Sequence, residues 1–243
     1  MAESSANAGS WNARRLAKGV ARRLFGWGRP PRVGHVSWGD FARSTPISGR
    51  FGYDRGGPID RYYIEQFLET HAADVRGRLL EVKDDEYTRR FGNERVTRSD
   101  VLDIDETNAN ATLIIDLNDA VALPSESFDC IILTQTMQYV FDVPSAVANL
   151  HRCLAPGGVL LLTVPGITRV TQSLTWYWSF TDRSIAKLLE AHFVQGVETV
   201  TFGNLRTTTG FLYGLGVTEL SKRDLDHADP DYQLIVAARA VKA

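Results

Sequence analysis

The chain has 243 residues, 44% apolar and 23% charged, which suits one large α/β domain with extensions and is short for two enzymatic domains. No apolar run approaches the ~20 residues that cross a bilayer, and only two cysteines, Cys130 and Cys153, exclude a disulfide scaffold and point to a reducing cytoplasm. The net charge of −2 hides a basic leader, because residues 1–43 hold eight Lys/Arg and two acids; the acidic remainder argues against nucleic acid as a partner.

Residues 1–50 read as that leader and 51–243 as the folded domain. Within the leader, NARRLAKGVARRLFGW (12–27) spaces Leu16, Val20 and Leu24 four apart among arginines, which predicts a short basic amphipathic helix. Such a helix suits docking to an anionic membrane surface or a partner protein, or else is a solvated leader. Pro58 then opens a helical pattern through Ile59, Tyr63, Phe67, Ile64 and Leu68. RLLEV (78–82), RVTRSDV (95–101), ATLIIDL (111–117), FDCIILTQ (128–135) and VLLLTVP (159–165) read as strands, with a helix over 143–154 that stops at Pro156-Gly157-Gly158. A helix over 182–193, a strand VETVTF (197–202), a helix or loop over 205–215 and a final strand YQLIVAARAV (232–241) follow. Strands alternating with helices predict a doubly wound α/β sheet. No CxxC or HExxH pattern supports a metal site.

The run FDCIILTQTMQYVFDVPSAVANLHRCLAPGGVLLLTVPG (128–166) resembles the second half of the class I S-adenosylmethionine-dependent methyltransferase domain, of the type 11-like kind. There Phe-Asp opens the fourth strand, a helix follows, and Leu-x-Pro-Gly-Gly leads into an apolar fifth strand. The resemblance spans residues 76–200. It implies a Rossmann-like sheet, mostly parallel with an antiparallel last strand and helices on both faces, and S-adenosyl-L-methionine as cofactor. Carried over position by position, Glu81 is the acid ending the first strand. Asp100, nineteen residues later, is the ribose carboxylate, with Asp103 as its alternative. Asp116 and Leu117, with Asp119 nearby, flank the adenine, and Thr134 and Gln135 begin the loop under the sulfonium. Asp116 as a turn cap and Glu81 as an arginine partner are the plainer readings.

The first loop departs from the family's Glu-x-Gly-x-Gly-x-Gly: the corresponding positions hold Lys83, Asp84, Asp85 and Glu86 in place of a glycine-rich run. Asp84 or Asp85 is expected to make the left-handed turn that glycine makes elsewhere. A Lys83 ammonium ~6 Å from the sulfonium would cost about 3 kcal/mol at an effective dielectric near 20. Either Lys83 pairs with Asp84, Asp85 or the cofactor's own carboxylate, or the pocket no longer takes this cofactor.

For the acceptor, His227 between Asp226 and Asp229 is the candidate base, with Asp226 its carboxylate; a surface histidine in an acidic turn is the alternative. Trp176, Tyr177 and Trp178 follow the fifth strand, where the family builds a substrate lid, and suit stacking on a sugar or aromatic ring as well as plain core packing. Tyr53, Asp54, Arg55 and Tyr63 lie in a segment resembling the family's N-terminal lid, or a rigid turn stapled by Asp–Arg pairs. The expected activity is methylation of a hydroxyl on a small, sugar-containing metabolite or glycan precursor. The alternatives are an accessory subunit that has lost the cofactor, or a non-methylating reaction.

Overall fold

The computed structural model describes residues 31–172, 174–194 and 196–243. The expected helix at 12–27 lies outside them. Two compact units divide the chain, residues 1–44 and 45–243, so residues 45–50 join the larger one. The described part of the first unit carries one short helical turn, Gly39–Phe41.

The second unit is built on seven strands: β1 (Gly77–Val82), β2 (Val96–Asp103), β3 (Leu113–Ile114), β4 (Phe128–Thr134), β5 (Leu154–Pro165), β6 (Val197–Phe202) and β7 (Ile235–Val241). They form one sheet in the order β3-β2-β1-β4-β5-β7-β6, with β7 antiparallel to both of its neighbours and the other pairings parallel. Period-two alternation gives the sheet two apolar faces. Leu80, Ile131, Leu133, Leu160, Leu162 and Val236 face helices α2 (Val143–Cys153) and α3 (Asp182–Glu190) through Val147, Leu150, Ile185 and Leu189. Leu79, Cys130, Ile132 and Leu161 face α1 (Ile59–Thr70) through Ile64, Phe67 and Leu68. Each fully buried Leu or Ile contributes roughly 1.5–3 kcal/mol, so these central strands dominate stability.

One expectation changes and one open alternative is resolved. The run 111–117 pairs only at Leu113 and Ile114, because β3 is an edge strand whose Ile114 is exposed. Leu205–Leu212 is a helix (α4) in spite of its three threonines, since Asn204 caps it and Thr207 and Thr208 are buried. A short α5 (Lys222–Asp226) follows it. No described helix is long and apolar enough to cross a membrane.

Candidate cofactor and acceptor site

Strand order reverses between β1 and β4: β1 continues outward to β2 and β3, β4 to β5. Ligands of open α/β sheets bind beyond the carboxyl ends of the strands at such a switch point. The residue after β1 is Lys83 and the residue after β4 is Gln135, and both are left-handed, with φ of 76° and 47°. Outside glycine that geometry costs roughly 1–2 kcal/mol and persists only where the surroundings enforce it. At Lys83 they do: its N–H donates to the Leu102 carbonyl at 2.8 Å, and its own carbonyl accepts from Asn108 Nδ2 at 2.7 Å. At Gln135 the N–H donates to Thr163 O at 2.8 Å, and the carbonyl accepts from Gln138 Nε2 at 2.8 Å. Lys83, rather than Asp84 or Asp85, therefore makes the turn. Asp84 accepts from the Glu86 N–H at 2.9 Å, and Asp85 pairs with Arg89 at 2.9 Å, so neither holds Lys83.

Glu81 is the last residue but one of β1, close to the strand end expected of it, but its carboxylate is turned into its own loop. Oε1 accepts from Tyr87 N–H at 3.1 Å and Oε2 from Thr88 N–H at 2.7 Å, capping the helical turn Thr88–Gly92. Only 3% exposed, the group is pushed by burial up to about 7, against the pull of those amides. No arginine pairs with it among the described residues. The whole connection from β1 to β2 is residues 83–95, close to the shortest that joins parallel neighbours.

Asp100 is not at a strand end. It lies mid-strand opposite Leu80, 1% exposed, with Arg78 at 2.7 Å and Arg98 at 2.9 Å. Burial favours its neutral form, and the two guanidiniums more than offset that, holding it below the usual carboxylate range. It is a structural ion triad. β2 runs on to Asp103, whose Oδ1 accepts from Ile104 and Asp105 amides and whose Oδ2 accepts from Asn108 at 2.6 Å, so the carboxylate at the end of β2 is the alternative one. Asn108 thereby ties the ends of β1 and β2 together. Asp116 is the plain turn cap, accepting from Asn118 N–H at 2.8 Å, and Leu117 is buried in the main core rather than flanking a ligand. Thr134 ends β4, half-buried beside the crevice.

On the acceptor side, Trp178 Nε1 donates to Val140 O at 3.0 Å and Trp176 Nε1 to Trp178 O at 2.8 Å, while the Tyr177 N–H donates to Gln138 O at 2.9 Å. Trp176 meets Tyr139 edge-on at 5.3 Å, and Tyr177 meets Phe141 at 5.2 Å. The segment after β5 is thus buttoned onto the loop after β4, with Tyr177 and Trp178 still exposed.

The N-terminal segment is stapled elsewhere. Asp54 accepts from Ser48 Oγ at 2.7 Å, Arg55 pairs with Glu219, Pro58 bridges Gly216, and Tyr53 is exposed. Tyr63 cannot touch a ligand: 1% exposed, it stacks on Phe202 and donates to the Leu225 carbonyl at 3.0 Å. Nor does an Asp226–His227 dyad form. Asp226 accepts from Tyr62 Oη at 2.6 Å and pairs with Lys222 at 2.9 Å, while His227 is exposed just past α5.

One acid escaped the sequence reading. Asp60, in the first turn of α1, is half-buried, and burial pushes it up to about 6, against the pull of backbone N–H groups; its Oδ1 accepts from the Arg61 N–H at 2.8 Å. Arg61 itself is committed to Glu65 and Glu86 and lies over the Tyr87 ring. That links Asp60's turn to the loop after β1. In sequence, an acid at a helix start reads as a partner for the helix dipole, which concealed it.

A profile of the family described as a methyltransferase domain matches residues 51–195. No curated protein matches the chain by sequence. Among solved structures, a Haemonchus contortus phosphoethanolamine N-methyltransferase 2 in complex with phosphomonomethylethanolamine and S-adenosylhomocysteine superposes with a TM-score of 0.51 at 16% identity, over 73% of this chain and 52% of that one. The present chain thus spans about half that enzyme's length. An S-adenosylmethionine-dependent methyltransferase from Archaeoglobus fulgidus gives 0.51 at 12% identity, over 75% and 94%. The [4+2]-cyclase SpnF gives 0.52 at 13% identity, over 81% and 89%. These likenesses establish a shared fold. Because the profile takes in well over half of the chain, from the glycine-rich segment before α1 to beyond α3, the protein belongs to the methyltransferase-domain family.

Proposed function

We propose that the protein is an S-adenosyl-L-methionine-dependent methyltransferase acting on a hydroxyl of a small, sugar-containing metabolite or glycan precursor. The observation that carries this reading is the pair of left-handed residues flanking the switch point. The loop after β1 keeps the backbone turn that glycine makes elsewhere in the family, with the ends of β1 and β2 locked together by Asn108. When bound, the cofactor supplies an activated methyl group. The chain's own part is to align an acceptor oxygen ~3–3.5 Å from it and to exclude water. Exposed Tyr177 and Trp178 suit the apolar face of a sugar ring: the Trp178 N–H is already taken by Val140, leaving the indole to stack. In place of His227, Asp60 suits receipt of the hydroxyl proton, having a raised pKa and no cation partner among the described residues.

Calorimetric titration with S-adenosylhomocysteine tests the reading; one-to-one binding is expected, and no heat at millimolar ligand overturns it. A second reading has an observation of its own. The ionic loop and the Glu81 carboxylate spent on its own amides suit a member that kept the fold as an accessory subunit, or for non-methylating chemistry. That reading expects the empty titration.

A further inference from the structure

Lys83 is a cation with no ion-pair partner among the described residues. Of the neighbouring acids, Asp85 pairs with Arg89 and Glu86 with Arg61, while Asp84 accepts from the Glu86 N–H and Asp103 from Asn108 and two amides. The other described cations of this region are paired as well, Arg61 with Glu65 and Glu86, Arg90 with Glu65, and Lys222 with Asp226. Lys83 makes no ion pair among the described residues and is exposed at the carboxyl end of β1. Its backbone is nevertheless fixed on both sides, by Leu102 and Asn108, in a conformation that lysine avoids. Gln135 holds the matching strained position across the switch point. Strain enforced at two strand ends beside the switch point is the pattern of a ligand clamp, and the clamp's β1 side carries an exposed ammonium that makes no ion pair among the described residues.

We infer that Lys83 reads the carboxylate of the cofactor's amino-acid end, so that this chain recognises by a side-chain charge the ligand that its relatives cradle with glycine backbone. This rests on the cofactor reading above. The charge pattern excludes the reverse arrangement, since an ammonium beside the sulfonium would repel it, whereas one on the carboxylate gains a charge-assisted hydrogen bond.

The test compares two probes that differ only in that group, S-adenosylhomocysteine and its decarboxylated analogue S-adenosyl-3-thiopropylamine, titrated calorimetrically into the full chain and into Lys83→Ala, Lys83→Arg and Lys83→Gly. The unmodified protein is expected to prefer S-adenosylhomocysteine by about tenfold. Lys83→Ala and Lys83→Gly should erase that preference while leaving the thiopropylamine affinity within about twofold, and Lys83→Arg should retain most of it. Lys83→Gly guards against a folding artefact, because glycine suits the turn. If both probes bind and the variants weaken them equally or not at all, the lysine assignment falls and the cofactor reading stands. If neither probe binds the unmodified protein, both fall.

Discussion

Two carboxylates open the two parallel crossovers beside the switch point, and their surroundings set them against each other. Asp142 caps α2 from solvent: its Oδ1 accepts from the Ser145 N–H at 3.1 Å and its Oδ2 from Ser145 Oγ at 2.7 Å, and that serine holds it below the usual carboxylate range. Glu81 caps the turn after β1 from the interior, where burial pushes it up to about 7. The β4–α2–β5 crossover has eleven helical residues packed on the sheet and needs its cap only at the margin. The β1–β2 crossover has only two short turns, Thr88–Gly92 and Asn93–Arg95, and the Glu81 cap organises the first of them. A long crossover is held by apolar area, a short one by polar geometry.

The largest expected effect attacks the long crossover. Leu150→Ala, at a fully buried position of α2, should lower the unfolding free energy by about 3–4 kcal/mol in urea titrations. A loss under 1 kcal/mol would mean that α2 is not what holds that side.

Glu81→Gln probes the short crossover, and pH supplies the sign. Glu81 has a folded-state pKa near 7 against an ordinary value of 4.5, so the native state binds more protons between those values. Its contribution is therefore greatest below pH 4.5 and is lost as pH rises towards 7. Glutamine removes that slope. Relative to the parent, the variant should gain up to about 3 kcal/mol between pH 4.5 and 7.5. Parallel stability profiles for the two proteins would show that Glu81 does not titrate in this range.

The same contrast explains what the sequence disclosed. β1, β4, β5 and β7 were legible because strands buried on both faces are written as continuous apolar runs, and α2 because its stripe faces the core. What failed depended on the short crossover or on adjacency in sequence. The nineteen-residue spacing chose Asp100, but β2 runs three residues past it and the arginines of β1 and β2 claim it. Asp226 and His227 are neighbours in the chain, yet Tyr62 and Lys222, far away in sequence or one turn back, hold the aspartate. Tyr63 and Leu117 looked like ligand contacts and serve the core. Lys83 and Gln135 were placed correctly at the strand ends, but the local sequence gave no sign that either would be left-handed; that is imposed by Leu102, Asn108 and Thr163.

Asp142→Ala sharpens the comparison of caps. Losing a solvated cap from an otherwise well-packed helix should lower Tm by about 2–4 °C in a calorimetric scan. The effect should fade at acid pH, where the parent's own cap is protonated, opposite in sense to Glu81. A drop much above that range would make the long crossover as cap-dependent as the short one.

The smallest effect has the opposite sign. At φ 76°, Lys83→Gly relieves roughly 1–2 kcal/mol of left-handed strain and returns part of it as extra freedom in the unfolded chain. A net gain of about 0.5–1 kcal/mol is expected in urea titrations. A natural lysine that costs stability, at a strand end beside the switch point, is what selection for a ligand contact would leave behind. If glycine instead destabilises the protein, Lys83 is making native contacts beyond its backbone bonds, and its charge serves the fold rather than the ligand.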